Sequence, residues 1–164
     1  MAEWYVRNVA DSDWFVNEKF GARSFLVPDG AQVGVRVHVL EPGKPSTLYH
    51  RETGQEGFLV VEGECLLIVD GAKRPLRRWD YFHCAPDTPH SFVGAGDGPC
   101  VMVTVGLRDD EGSIVYERNH TALAHGAGVE EETDSSSVAY SPFPKWEEGH
   151  PASWHSLPWN RRRG

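Results

Sequence analysis

Residues 50–63 read His50-Arg51-Glu52-Thr53-Gly54-Gln55-Glu56-Gly57-Phe58-Leu59-Val60-Val61-Glu62-Gly63. Glu56–Glu62 reads as a strand, and Phe58-Leu59-Val60-Val61 is apolar on both faces. Such a strand belongs inside a closed or doubly covered sheet. Glu62-Gly63 then supplies a turn. Similar short runs follow at 65–70, 80–84, 91–93 and 100–107. Turn signals separate them at Asp70-Gly71, Pro86-Asp87-Thr88-Pro89 and Gly94-Ala95-Gly96-Asp97-Gly98-Pro99. Upstream, residues 32–39 alternate, with four valines on one face and mostly polar residues, His38 among them, on the other. The alternation predicts a half-buried strand, its valines toward the core and His38 at a surface or interface. Short strands joined by tight turns, without helical periods between them, make an all-β antiparallel sandwich or barrel.

The flanks read differently. Residues 1–30 are expected to form an N-terminal arm, in which Asp11-Ser12-Asp13 caps a short helix over 14–20 and Gly21 closes it. Residues 31–118 hold the barrel, and 119–164 a C-terminal extension carrying Phe143, Trp146, Trp154 and Trp159. Prolines forbid a long helix there, so the extension is expected to run extended and pack on the barrel or on a second subunit.

At 164 residues the chain suits one domain, and its 17 glycines and 11 prolines favour turns over a helical bundle. A net charge of −8 argues against a nucleic-acid partner, and the basic run Arg161-Arg162-Arg163 is too short to reverse that. No apolar run approaches the ~20 residues of a membrane helix. Met1-Ala2-Glu3-Trp4-Tyr5 lacks the features of a secretory signal. Cys65, Cys84 and Cys100 form no C-x-x-C pair and read as reduced core thiols. A cytoplasmic location is the expectation.

Among the histidines, His120, His125, His150 and His155 lie in Gly/Ala- or Pro-rich stretches and read as exposed. His83 has the parity opposite to Phe82 and Cys84, which points it away from their core layer. His50, Glu52 and Glu56 share a parity, so on extended chain they share a face. His90 follows a tight turn and opens another strand. If those strands are neighbours, two imidazoles and one or two carboxylates converge, a donor set for Fe, Mn, Ni or Zn rather than Mg or Ca. A solvated loop between Arg51 and Glu56 would explain the same residues without a site.

Glu56, six residues, then Gly63, with His50 upstream, resembles the first motif of the cupin superfamily, G-x5-H-x-H-x3,4-E-x6-G. After a gap of fifteen residues, Trp79-Asp80-Tyr81-Phe82-His83-Cys84-Ala85-Pro86-Asp87-Thr88-Pro89-His90 resembles the second, G-x5-P-x-G-x2-H-x3-N. The chain departs from the pattern at named places. Gly43 stands one residue too far from His50, and Glu52 occupies the place of the second histidine. Trp79 and Asp87 replace glycines, Ala85 the proline and Gly94 the asparagine.

The resemblance spans 32–108 and implies a jelly-roll barrel of two packed antiparallel sheets. It implies metal ligands at His50, Glu56 and His90, with Glu52 in the second-histidine place; Gln55 is a neutral ligand in its stead if the loop 51–55 turns it inward. It also implies a divalent Fe, Mn, Ni or Zn ion, a small molecule bound inside the barrel, oxygenase- or isomerase-type chemistry, and a homodimer. Glu52 or Glu56, if not a ligand, would serve as general base. The alternative is a ligand-binding or sensor cupin without metal or turnover.

Overall fold

The computed structural model describes residues 4–108 and 111–161. The first three residues read for a leader, and Arg162-Arg163 of the basic run, lie outside these. The strands are β1 (Trp14–Asn17), β2 (Gly21–Phe25), β3 (Val33–Leu40), β4 (Arg51–Glu52), β5 (Glu56–Glu62) and β6 (Glu64–Val69). They continue as β7 (Ala72–Arg77), β8 (Tyr81–Cys84), β9 (His90–Ala95), β10 (Cys100–Leu107), β11 (Ile114–Val115) and β12 (Glu147–Glu148). Two short helices follow the barrel strands, α1 (His120–Ala124) and α2 (Ser136–Tyr140). The larger sheet has the order β12-β1-β2-β3-β10-β5-β8, and β7-β6-β9 forms the smaller one. Bridges at Pro45–Val93 and His50–His90 dock the segment before β4 along β9, and β4 pairs with β11. The pairings are antiparallel, giving the jelly-roll of two packed sheets. Among the described residues no helix is long and apolar enough to cross a membrane.

The N-terminal segment differs from the sequence reading. Residues 14–20 form no helix: β1 and β2 make a hairpin that extends the large sheet. Trp14-Phe15-Val16 favours a pleated, half-buried surface, and the cap residues serve a 3-10 turn at Val9–Asp11 instead. The Asn17 side chain accepts from the Lys19 and Phe20 amides and turns the chain. Gly21, at φ +77, then passes so close to the Val39 carbonyl that a Cβ would meet it at 2.6 Å.

β3 is inverted relative to its expected orientation. Its inward positions are Leu40, His38 and Arg36, while Val37 and Val39 lie on the outer face. Val37 and Val39 are nonetheless buried, because Trp14, Leu157, Trp154 and Trp159 cover them. His38 is therefore an interior residue, 3% exposed, and not a surface one. The inward side of the paired strand β10 runs Cys100, Met102, Thr104 and Gly106. One end of the barrel is thus apolar, filled by Leu40, Val60, Cys65, Leu67 and Cys100, and the other is polar.

The C-terminal extension packs at the polar end and on the outer face of the large sheet. Trp14 stacks on Trp159 with centroids 5.4 Å apart and meets Trp154 edge-on at 5.5 Å. Phe143 and Trp146 pack on the cluster of Phe20, Leu48 and Tyr116. Its path is interrupted by α1 and α2, capped by Asn119 and Ser135. The three cysteines are buried and free.

Candidate metal centre

His50 and His90 face each other as a directly opposed antiparallel pair. The His50 amide donates to the His90 carbonyl at 3.2 Å, and the His90 amide returns the bond at 2.9 Å. Opposed residues project to the same face, so the ring centroids stand 5.0 Å apart. Each ring is oriented from behind. His50 Nδ1 lies 2.7 Å from the Leu48 carbonyl and His90 Nδ1 3.0 Å from the Thr88 carbonyl. A carbonyl only accepts, so both Nδ1 atoms carry hydrogen and both Nε2 atoms turn to the cavity. Glu56, the first residue of β5, brings a carboxylate oxygen to 3.3 Å from His90 Nε2. Gly106 lies opposite Glu56, and a Cβ there would stand 3.2 Å from Glu56 Cγ.

One ligand atom from each of His50, Glu56 and His90 falls within 4.8 Å of the others, and all three residues are buried. This group could hold a metal ion. Burial, followed by the neighbouring His90 charge, lowers the His50 pKa to about 4, so that imidazole is neutral at pH 7. Burial also disfavours charge on His90, but the close contacts with Cys84 and Glu56 outweigh it and raise the pKa to about 10. Burial pushes Glu56 up as well, yet the close His90 ring and its charge bring its carboxyl below the usual range. Glu56 Oε2 is buried and lacks an aligned hydrogen-bond donor.

Glu52 lines the same cavity with its Oε2 3.9 Å from His50 Nε2, at the margin of the three-residue group. Burial and the Glu56 charge raise its pKa to about 7. Arg51 points the other way, binding Glu117 at 2.7 Å and approaching Asp87 at 3.6 Å, which anchors β4 with His50 and Glu52 turned inward. Gln55 is exposed and borders a hollow on the outer face, so it does not reach the cavity. His83 is exposed, as are His120, His150 and His155, and Trp79 and Tyr81 lie outside the cavity lining.

The cavity measures about 440 Å³. Besides the four residues discussed, Arg23, Arg36, His38, Thr104, Tyr116, Tyr140 and Trp146 line it. Sequence reasoning did not select these seven. The alternation in β3 contained a usable signal, an arginine and a histidine on one face of an otherwise apolar strand. Tyr140 and Trp146 carried none, because they enter from the C-terminal extension, and Tyr116 follows β11 outside the strands that the sequence marked.

Comparison with known proteins agrees with this geometry. Residues 36–106 match the family model described as cupin domain. Comparison with curated proteins returns no match. A sugar phosphate isomerase of the cupin superfamily from Silicibacter pomeroyi superposes with TM-score 0.61 at 22% identity, over 70% of this chain and 87% of its own. The polyketide cyclase RemF from Streptomyces resistomycificus gives 0.57 at 17% identity, over 65% and 81%. A cupin 2 domain-containing protein from Halorhodospira halophila gives 0.51 at 23% identity, over 63% and 73%. The two motifs, the jelly-roll and the family match agree on a cupin domain over residues 36–106.

Proposed function

We propose that the protein binds a divalent Fe, Mn, Ni or Zn ion at His50, Glu56 and His90 and acts there on a small molecule held in the barrel. The observation that carries this reading is the convergence of three buried ligand atoms within 4.8 Å on the wall of the cavity. Two imidazole nitrogens and a carboxylate suit these ions, and the undonated Glu56 Oε2 fits the same role. Such an ion supplies Lewis-acid polarisation of a substrate oxygen. Glu52, with its pKa near neutrality, is the group to accept and return a substrate proton, or a fourth ligand if it moves closer to the other three. Isomerase-type chemistry, the activity named for the Silicibacter pomeroyi relative, needs a group of this kind. We also propose a cytoplasmic homodimer.

Elemental analysis of the tag-free protein, beside His50→Ala and His90→Ala, tests the centre. Near-stoichiometric metal that disappears in both variants is expected. Unchanged metal in a folded His90→Ala barrel would sink the reading. A ligand-binding cupin without metal is favoured instead by the His90–Glu56 contact at 3.3 Å, a pairing of opposite charges that needs no ion. That reading requires the wild type to stay metal-free after reconstitution with each ion.

A further inference from the structure

The cavity contains a second polar group beside the metal ligands. Arg23 on β2, Arg36 and His38 on β3, and Thr104 on β10 all line it. The register places them in two adjacent rows. Arg23 lies opposite His38, while Arg36 lies opposite Thr104. Arg36 and His38 are two residues apart, so both rows belong to the inner face.

These groups are unusually poor in partners. Neither guanidinium makes an ion pair with a described residue. Arg23 Nε, His38 Nδ1 and Thr104 Oγ1 are buried without hydrogen-bond partners, and His38 and Thr104 are only 3% and 2% exposed. The guanidiniums rest on aromatic rings instead. Arg23 sits 3.8 Å from the Trp146 centroid and 5.1 Å from that of Phe25, and Arg36 sits 5.8 Å from Phe25. Stacking fixes the plane of a guanidinium and leaves its N–H edge for another acceptor.

The two cations also repel. Burial and the Arg36 charge pull the Arg23 pKa down to about 10. Glu52 and Glu56 feel the Arg36 charge but make no ion pair with it; Glu56 belongs to the metal group and Glu52 stands at its margin. Two adjacent guanidiniums with a hydroxyl donor match a compact oxyanion, which accepts charge-assisted bonds from both. A neutral ligand would leave the pair uncompensated.

We infer that Arg23, Arg36, His38 and Thr104 form an anion subsite for the acidic head, phosphate or carboxylate, of a short-chain substrate whose other end faces His50, Glu56 and His90. The row of Arg36 and Thr104 adjoins the row of Glu56 and Gly106, two residues or about 7 Å along the strand. That separation suits a molecule of a few carbons. The inference rests on the cavity being the substrate site, but not on a metal being bound.

Isothermal titration of the purified protein with inorganic phosphate, and separately with acetate, tests the subsite. Saturable binding of at least one anion is expected, weakened at least tenfold in Arg23→Gln and Arg36→Gln variants that remain folded by circular dichroism. Tighter phosphate binding assigns a phosphate head and tighter acetate binding a carboxylate head; either result supports the subsite. The folded, metal-depleted His90→Ala variant must retain the anion, which separates this inference from the metal reading. Phenylglyoxal labelling adds a readout without substitution, since the bound anion should protect Arg23 and Arg36. No saturable binding, unchanged affinity in the double arginine variant, or loss of binding in folded His90→Ala would each overturn the proposal.

Discussion

His90 joins the chemistry of the centre to pH. Its pKa is held at about 10, so at neutral pH it carries a proton that an ion at Nε2 must displace. His50, at about 4, has no proton to lose across the neutral range. Apparent metal affinity should therefore rise with pH by about tenfold per unit up to about pH 10. If Glu52 is a ligand, a second proton leaves below about pH 7 and the slope steepens there, a steepening that Glu52→Gln should remove. Competition with a chelator at stepped pH measures both slopes, and a flat profile would contradict the assignment of His90. The two glycine positions of the second motif make another residue-level point. Trp79 and Asp87 adopt φ of +76 and +61, the left-handed conformation that glycine favours at both places of the motif. Asp takes up that conformation at little cost, whereas Trp does so under strain. Trp79 is 63% exposed, so Trp79→Gly should stabilise the fold by about 0.5–1 kcal/mol in chemical denaturation.

At the level of elements, the barrel strands were readable because period-two runs and turn residues are local signals. The two sheet-forming turns at Glu62-Gly63 and Asp70-Gly71 stand where the sequence places them. β7 escaped detection because Lys73, Arg74 and Pro75 are exposed on an edge strand, where no apolar alternation is required. The β1–β2 hairpin escaped because cap-like residues preceded it, and pairing with β3 outweighed the local helix signal. The C-terminal strap is held by Leu157, fully buried between Trp14 and the outer valines of β3 and β10. Leu157→Ala should cost about 2–5 kcal/mol and shift tryptophan emission to the red on unfolding at lower denaturant. A change under about 0.5 kcal/mol would mean that the strap adds little to the fold.

For the molecule as a whole, the strap covers only part of the outer sheet face. Val33, Val105, Leu107 and Tyr81 remain exposed there around a shallow apolar hollow. The proposed homodimer would bury this face, and Leu107→Asp should then shift sedimentation from dimer to monomer without changing metal content. A wild type that sediments as a monomer would remove the dimer from the account.

The positions of His50, Glu56 and His90 were legible in the chain because motif spacing and turn chemistry act over a few residues. Their convergence required β9 to lie against the segment before β4, but the motifs carried that pairing implicitly. The polar half of the cavity was another matter. Alternation in β3 shows two different faces but not which one is inside, and here the polar face is inside because the outer valines have a second cover. That cover comes from Trp14 and Leu157, far away in sequence, and Trp146 and Tyr140 arrive at the cavity from the same distant extension. Local preference depends on neighbouring residues, whereas an interior wall depends on which distant segments exclude water together.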